Sequence, residues 1–257
     1  MKGIIFAGCS FTWGQGLYFY SDLPNVIPQS DNDYHPSKVT DAHVKYKDML
    51  RYPRLVANHL DTFEVTRKPN GGNDKMSMDF VNNLFKGGSE EGKYYVEEID
   101  YIIFQTSQII RNGFEFTYNN KRYNINQSYS NEPFVNWLIQ ENLTYDEWFS
   151  SFCQQVFDDI KNFFIFYEEK GIKTRILNWQ NDLVPFILKD KFMNDRHVKL
   201  NYTSQEYNSI DDLVKDNDHM LISNDYLNFT NPNNDTHPSK LCHKVIANSI
   251  INNIKNN

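Results

Sequence analysis

Four short apolar runs separated by helical periodicities constrain this chain more than any other feature. They are GIIFA (3–7), FEVTR (63–67), YIIFQT (101–106) and TRILNW (174–179), with HMLIS (219–223) as a weaker fifth. Their length and uniform apolarity read as buried strands. Between them, YPRLVANHL (52–60) sets Leu55, Val56, His59 and Leu60 on one side of a helix, with Pro53 suited to its first turn. FCQQVFDDIKNFFIFYEEKG (152–171) carries Phe152, Val156, Phe157, Ile160, Phe163 and Phe164 at helical spacing, and Gly171 is a natural stop. KLCHKVIANSIINNI (240–254) reads as a closing amphipathic helix. Alternation of this kind predicts an α/β fold, a mostly parallel five-stranded sheet with helices on both faces. Ligands of such sheets bind beyond the carboxyl ends of the strands.

No repeat and no Pro-, Gly- or Ser-rich linker divides the 257 residues, so one domain over 1–257 is expected. Two stretches break the alternation, at about 18–50 and 112–150, and both leave the carboxyl end of the sheet. The second is dense in aromatic residues. Long insertions in a compact domain are usually functional or disordered. Walls or a lid over a site is one reading, and decoration without ligand contact is the other.

A net charge of −7 with no Lys/Arg cluster argues against a phosphate-backbone binder, so no nucleic-acid partner is expected. The apolar stretch 2–7 is too short for a signal core, and no apolar run is long enough to span a membrane. A cytoplasmic protein with no membrane partner is the expectation. Cys9, Cys153 and Cys242 have no metal-ligand spacing, and their odd number argues against a disulfide framework.

Three constellations carry chemistry. The first is GCSFTWGQG (8–16), directly behind the first strand. Its glycines fit neither a dinucleotide fingerprint nor a P-loop. Ser10 or Thr12 could cap a helix. Alternatively Ser10, standing at the ligand-binding edge, could attack an acyl group while its own N–H stabilises the oxyanion. The second is NNDTHPSKLCH (233–243). Pro238 biases His237 toward extended backbone, where residues two apart point the same way. Asp235 can then lie beside the His237 ring, while Ser239 suits a helix cap and His243 a helix face. The third is RKPNGGNDKM (67–76), where paired glycines let backbone approach a ligand and expose an N–H donor, or simply make a tight turn.

Together these blocks resemble the SGNH (GDSL-type) hydrolase family. Gly8-Cys9-Ser10-Phe11 is similar to its first block, RYPRLVANHL followed by a strand and NGGND to the stretch bearing its second, and Asp235-Thr236-His237-Pro238 to its last. The resemblance implies a flavodoxin-like three-layer α/β/α sandwich, no metal or organic cofactor, and hydrolysis of acyl esters. It assigns Ser10 as nucleophile, His237 as base, Asp235 as its orienting acid and Gly72 as an oxyanion donor. The third block departs from the family: after the third strand the chain reads Gln105-Thr106-Ser107-Gln108. Ser107 stands at the aligned asparagine position, with Asn73 or Gln105 as substitutes. The Asp–His spacing is also two, where the family more often has three.

The reading is a serine esterase acting on a small-molecule or carbohydrate ester, with O-acetylated carbohydrate preferred because an aromatic wall suits a sugar ring. Two alternatives remain open: an O-acyltransferase using the same site, and a catalytically impaired glycan-binding module. The sequence leaves the oligomeric state unknown.

Overall fold

The structure, a computed structural model, describes residues 2–9, 12, 14, 17–20, 41–67, 72–89, 91–125, 132–225 and 237–256. Strand β1 (Gly3–Ala7) lies at the middle of a four-stranded parallel sheet. It pairs with β2 (Glu64–Thr66) on one side and β3 (Ile99–Gln105) on the other, so that Ile4 faces Glu64 and Tyr101. The two-stranded ribbon β4 (Phe114–Tyr118) and β5 (Lys121–Ile125) stands apart from this sheet. Strand β6 (Lys173–Leu177) closes the order β2-β1-β3-β6. A second small ribbon joins β7 (Leu200–Tyr202) to β8 (Gln205–Tyr207).

Helices cover both faces. Helix α1 (Asp41–Leu50) leads into α2 (Tyr52–His59), and α3 (Asp74–Lys86) follows β2. Helix α4 (Glu132–Gln140) precedes the long α5 (Tyr145–Glu168). Three short helices follow, α6 (Val184–Lys189), α7 (Lys191–Asn194) and α8 (Ile210–Asp216), before the closing α9 (Lys240–Asn256). Ile5, Ala7, Ile102 and Phe104 point into one core with Val81 and Leu84 of α3 and Ile160 and Phe164 of α5. Ile4, Phe6, Tyr101 and Ile103 point into the other with Tyr52 and Val56 of α2 and Ile246 and Ile250 of α9. Alternate strand residues are thus buried on opposite faces, which is why the runs read as continuously apolar. Each fully buried Ile among them contributes about 1.5–3 kcal/mol by leaving water. The result is an α/β protein whose parallel sheet lies between helical layers.

Three expectations are corrected. HMLIS is not a strand of the sheet: 218–220 and 222–224 are 3-10 turns, and only Leu221 bridges, to Pro238. The described sheet therefore has four strands, extended beyond β6 by a single bridge from Ile176 to His197. The long helix begins at Tyr145, ahead of the periodic run at 152, because Thr144 and Glu147 form a reciprocal capping box. Several of the described aromatics of 112–150 pack on one another. Phe114, Phe134 and Trp148 meet edge to face, with Phe134 and Trp148 centroids 4.7 Å apart, and Phe116, Phe134 and Trp148 are buried. Ribbon, α4 and the start of α5 share this apolar cluster, which is continuous with the main core.

Among the described residues, no helix is long and apolar enough to cross a membrane. Cys9, Cys153 and Cys242 are buried and form no disulfide.

Candidate active site

The order β2-β1-β3 places the topological reversal of the sheet between β1 and β3, and the crevice beyond their carboxyl ends is where an open α/β sheet binds ligands. Gly8 and Cys9 follow β1 there, and Gln105 closes β3. Their approach is close: a Cβ on Gly8 would overlap Thr12 Oγ1 and meet Gln105 Cβ at 3.0 Å. Glycine is required at position 8 because the Thr12 hydroxyl occupies the space.

A buried polar network lies at this edge of the sheet. Thr12 Oγ1 donates to Gln105 Oε1 at 3.0 Å, and the Tyr52 hydroxyl reaches both Thr12 Oγ1 and Gln105 Oε1. Gln105 Nε2 donates to Cys9 Sγ at 3.4 Å. Tyr52 also joins this network to the last helix, since its backbone N–H donates to His243 Nδ1 at 3.2 Å and the two rings stack. Burial, assisted by the charges of His237 and Arg51, lowers the His243 imidazole to about 3. It stays neutral, as an acceptor at Nδ1 must. His243 is therefore a helix-face group that fixes α2 against α9. Thr12 is not a simple helix cap, because its hydroxyl is engaged by the network.

A second network lies between the loops after β2 and β3. Asn73 caps α3, its Oδ1 accepting the Met76 N–H at 2.7 Å. Asp74, fully buried, accepts the Ser107 N–H at 2.7 Å and Asn112 Nδ2 at 2.8 Å, while its own N–H donates to Asn112 Oδ1. Desolvation raises the Asp74 carboxyl above the usual range against those hydrogen bonds. Ser107 is buried, and its hydroxyl donates to Gln108 O at 3.3 Å. Gly72, Asn73 and Ser107 are thus brought together through Asp74.

His237 is half-buried, and its carbonyl accepts the Ile222 N–H at 2.9 Å. The antiparallel bridge from Pro238 to Leu221 supplies the extended backbone expected before the helix. Ser239 caps α9 as expected, its Oγ accepting the Cys242 N–H at 3.3 Å. Ser10 and Asp235 lie outside the described residues. Among the described residues, no three His, Cys, Asp or Glu side chains gather as a metal site.

Sequence reasoning missed Tyr52 and Asp74. Tyr52 carries no local signal, since its partners are 40 and 191 residues away. Asp74 ends the literal string Gly71-Gly72-Asn73-Asp74, whose recurrence of a family-like spelling hid its role as a tether.

Compared with known proteins, the chain matches no family model, no curated protein and no solved structure.

Proposed function

We propose that this chain is a serine esterase of the SGNH type that hydrolyses acyl esters. The observation that carries the reading is the close packing at the reversal point of the sheet, where Gly8 and Cys9, the two residues before Ser10, meet the end of β3. Ser10 Oγ attacks the ester carbonyl and His237 takes its proton, with Asp235 holding the imidazole tautomer. The oxyanion is held by the N–H groups of Ser10 and Gly72. The protonated imidazole then delivers its proton to the departing alcohol. Water, activated by the same imidazole, releases the acid.

Phe114, Phe134 and Trp148 of the second insertion pack on one another, so these rings lend the carbohydrate preference no support. The acyl ester remains. One observation favours the impaired-enzyme alternative: of the side chains available to replace the third-block asparagine, Gln105 Nε2 and the Ser107 hydroxyl already donate to protein groups, while Asn73 caps α3 through its Oδ1.

The test is intact-mass spectrometry after exposure to a fluorophosphonate. A single adduct on Ser10, absent from Ser10→Ala and lost or strongly slowed in His237→Ala, is the expected result. Folded wild-type protein that takes no adduct and turns over no aryl acetate would overturn the reading.

A further inference from the structure

Arg67 follows β2 directly, at the carboxyl edge of the sheet. Its guanidinium lies against the Gly72 backbone: a Cβ on Gly72 would overlap Nη1 and stand 3.5 Å from Cζ and 3.8 Å from Nη2. A side chain at position 72 would have to displace this guanidinium. The contact also places a cation beside the N–H expected to receive an oxyanion. Arg51 and Arg54 both hold Glu64, Arg196 holds Glu168, and Arg175 holds Asn253. The Arg67 side chain makes no hydrogen bond or ion pair among the described residues. It is nevertheless half-buried, so its partly dehydrated charge lacks an acceptor among them. Desolvation lowers its pKa, while Cys9 and Glu91 raise it. A guanidinium remains a cation under such shifts.

Two of the other donors near this site are engaged: Gln105 Nε2 reaches Cys9, and Ser107 directs its N–H to Asp74 and its hydroxyl to Gln108. Asn73 caps α3 through its Oδ1, which leaves its amide N–H groups as a neutral alternative to the Arg67 cation. We propose that Arg67 is the oxyanion donor that stands in for the missing third-block asparagine, an inference that rests on the esterase reading. When the serine oxygen bonds to the carbonyl carbon, the serine proton passes to the imidazole and the carbonyl π pair moves onto oxygen. That oxygen then accepts from Arg67 and from the Gly72 N–H. Collapse returns the pair to the carbonyl, and the alcohol leaves with the proton from the imidazolium. A charged donor makes a stronger hydrogen bond to an anion than a neutral amide does. Because the anion exists only along the reaction, the benefit falls on kcat.

The experiment compares wild type with Arg67→Gln and Arg67→Lys on a neutral aryl acetate and on a carboxylate-bearing aryl hemisuccinate. Fluorophosphonate labelling rates and melting temperatures are measured alongside. The expected result is a fall in kcat of about 10²-fold for Arg67→Gln on both esters, with KM nearly unchanged and labelling slowed in parallel. Arg67→Lys, which keeps the charge and tests the same point if the glutamine variant folds poorly, recovers part of the loss. An active wild type whose kcat survives both substitutions overturns the assignment while leaving the esterase reading intact. A KM increase confined to the hemisuccinate also overturns it, and makes Arg67 a recogniser of substrate charge. Wild type that neither labels nor turns over overturns the esterase reading first, and this assignment with it.

Discussion

Asp74 accepts the backbone N–H of Ser107 at 2.7 Å across 33 residues of chain. This bond ties the first turn of α3 to the loop after β3, the two segments that border Gly72. Both carboxylate oxygens receive donors, and Asn112 cannot reverse its amide without losing the bond from the Asp74 N–H.

Replacing Asp74 by Ala therefore leaves the Ser107 N–H and Asn112 Nδ2 without their acceptors, and buried unmet donors cost about 1–3 kcal/mol each. Asp74→Asn keeps one acceptor but faces an amide donor toward Asn112, so its cost should be smaller. Urea unfolding at pH 7 would measure both, and equal stability of all three proteins would show that the tether contributes nothing. The pH dependence separates the carboxyl from its shape. Because the folded-state pKa is raised, the folded protein binds the extra proton above the usual carboxylate range of about 4. The contribution of Asp74 is then greatest at low pH and declines as pH rises through its raised value. The Asp74→Asn variant should lack that decline.

His243 titrates with the opposite sign. Its folded-state value is lowered to about 3 from an ordinary 6.5, so between these values the unfolded chain binds the proton that the folded chain refuses. Stability contributed by neutral His243 is full above pH 6.5 and falls as pH drops toward 3. The slope from this one group is at most about 1.4 kcal/mol per pH unit. His243→Asn offers an amide oxygen to the Tyr52 N–H and does not titrate. Its unfolding free energy between about pH 4 and 7 should be correspondingly flatter than that of wild type, and parallel curves would refute the assignment.

The aromatic cluster under β4 and β5 makes a third prediction. Trp148 is buried against Phe114, Phe134 and Phe152. Trp148→Ala should cost about 3–5 kcal/mol through lost contacts and the cavity left behind. If the cluster is structural, the variant should keep aryl-acetate KM at a temperature where it is folded. A large rise in KM with little loss of stability would restore these rings as part of a ligand wall.

Periodicity and local chemistry let the sequence determine the four sheet strands and the helices at 52–59 and 240–256, because burial on both sheet faces and on one helix face leaves a pattern along the chain. The cap at Ser239 was legible for the same reason: it is a backbone requirement expressed at one position. The capping box at Thr144 is also written locally, since Thr144 and Glu147 stand three residues apart. What the tertiary structure alone decided was pairing. Tyr52 with Thr12, Gln105 and His243, Asp74 with Ser107, and Arg67 with Gly72 join segments by their positions in space, and a polar side chain carries no mark in the sequence of the partner it will meet. The same aromatic residues could have faced a sugar or one another. Packing chose the second for those described, because burying apolar rings against rings removes them from water without requiring any ligand.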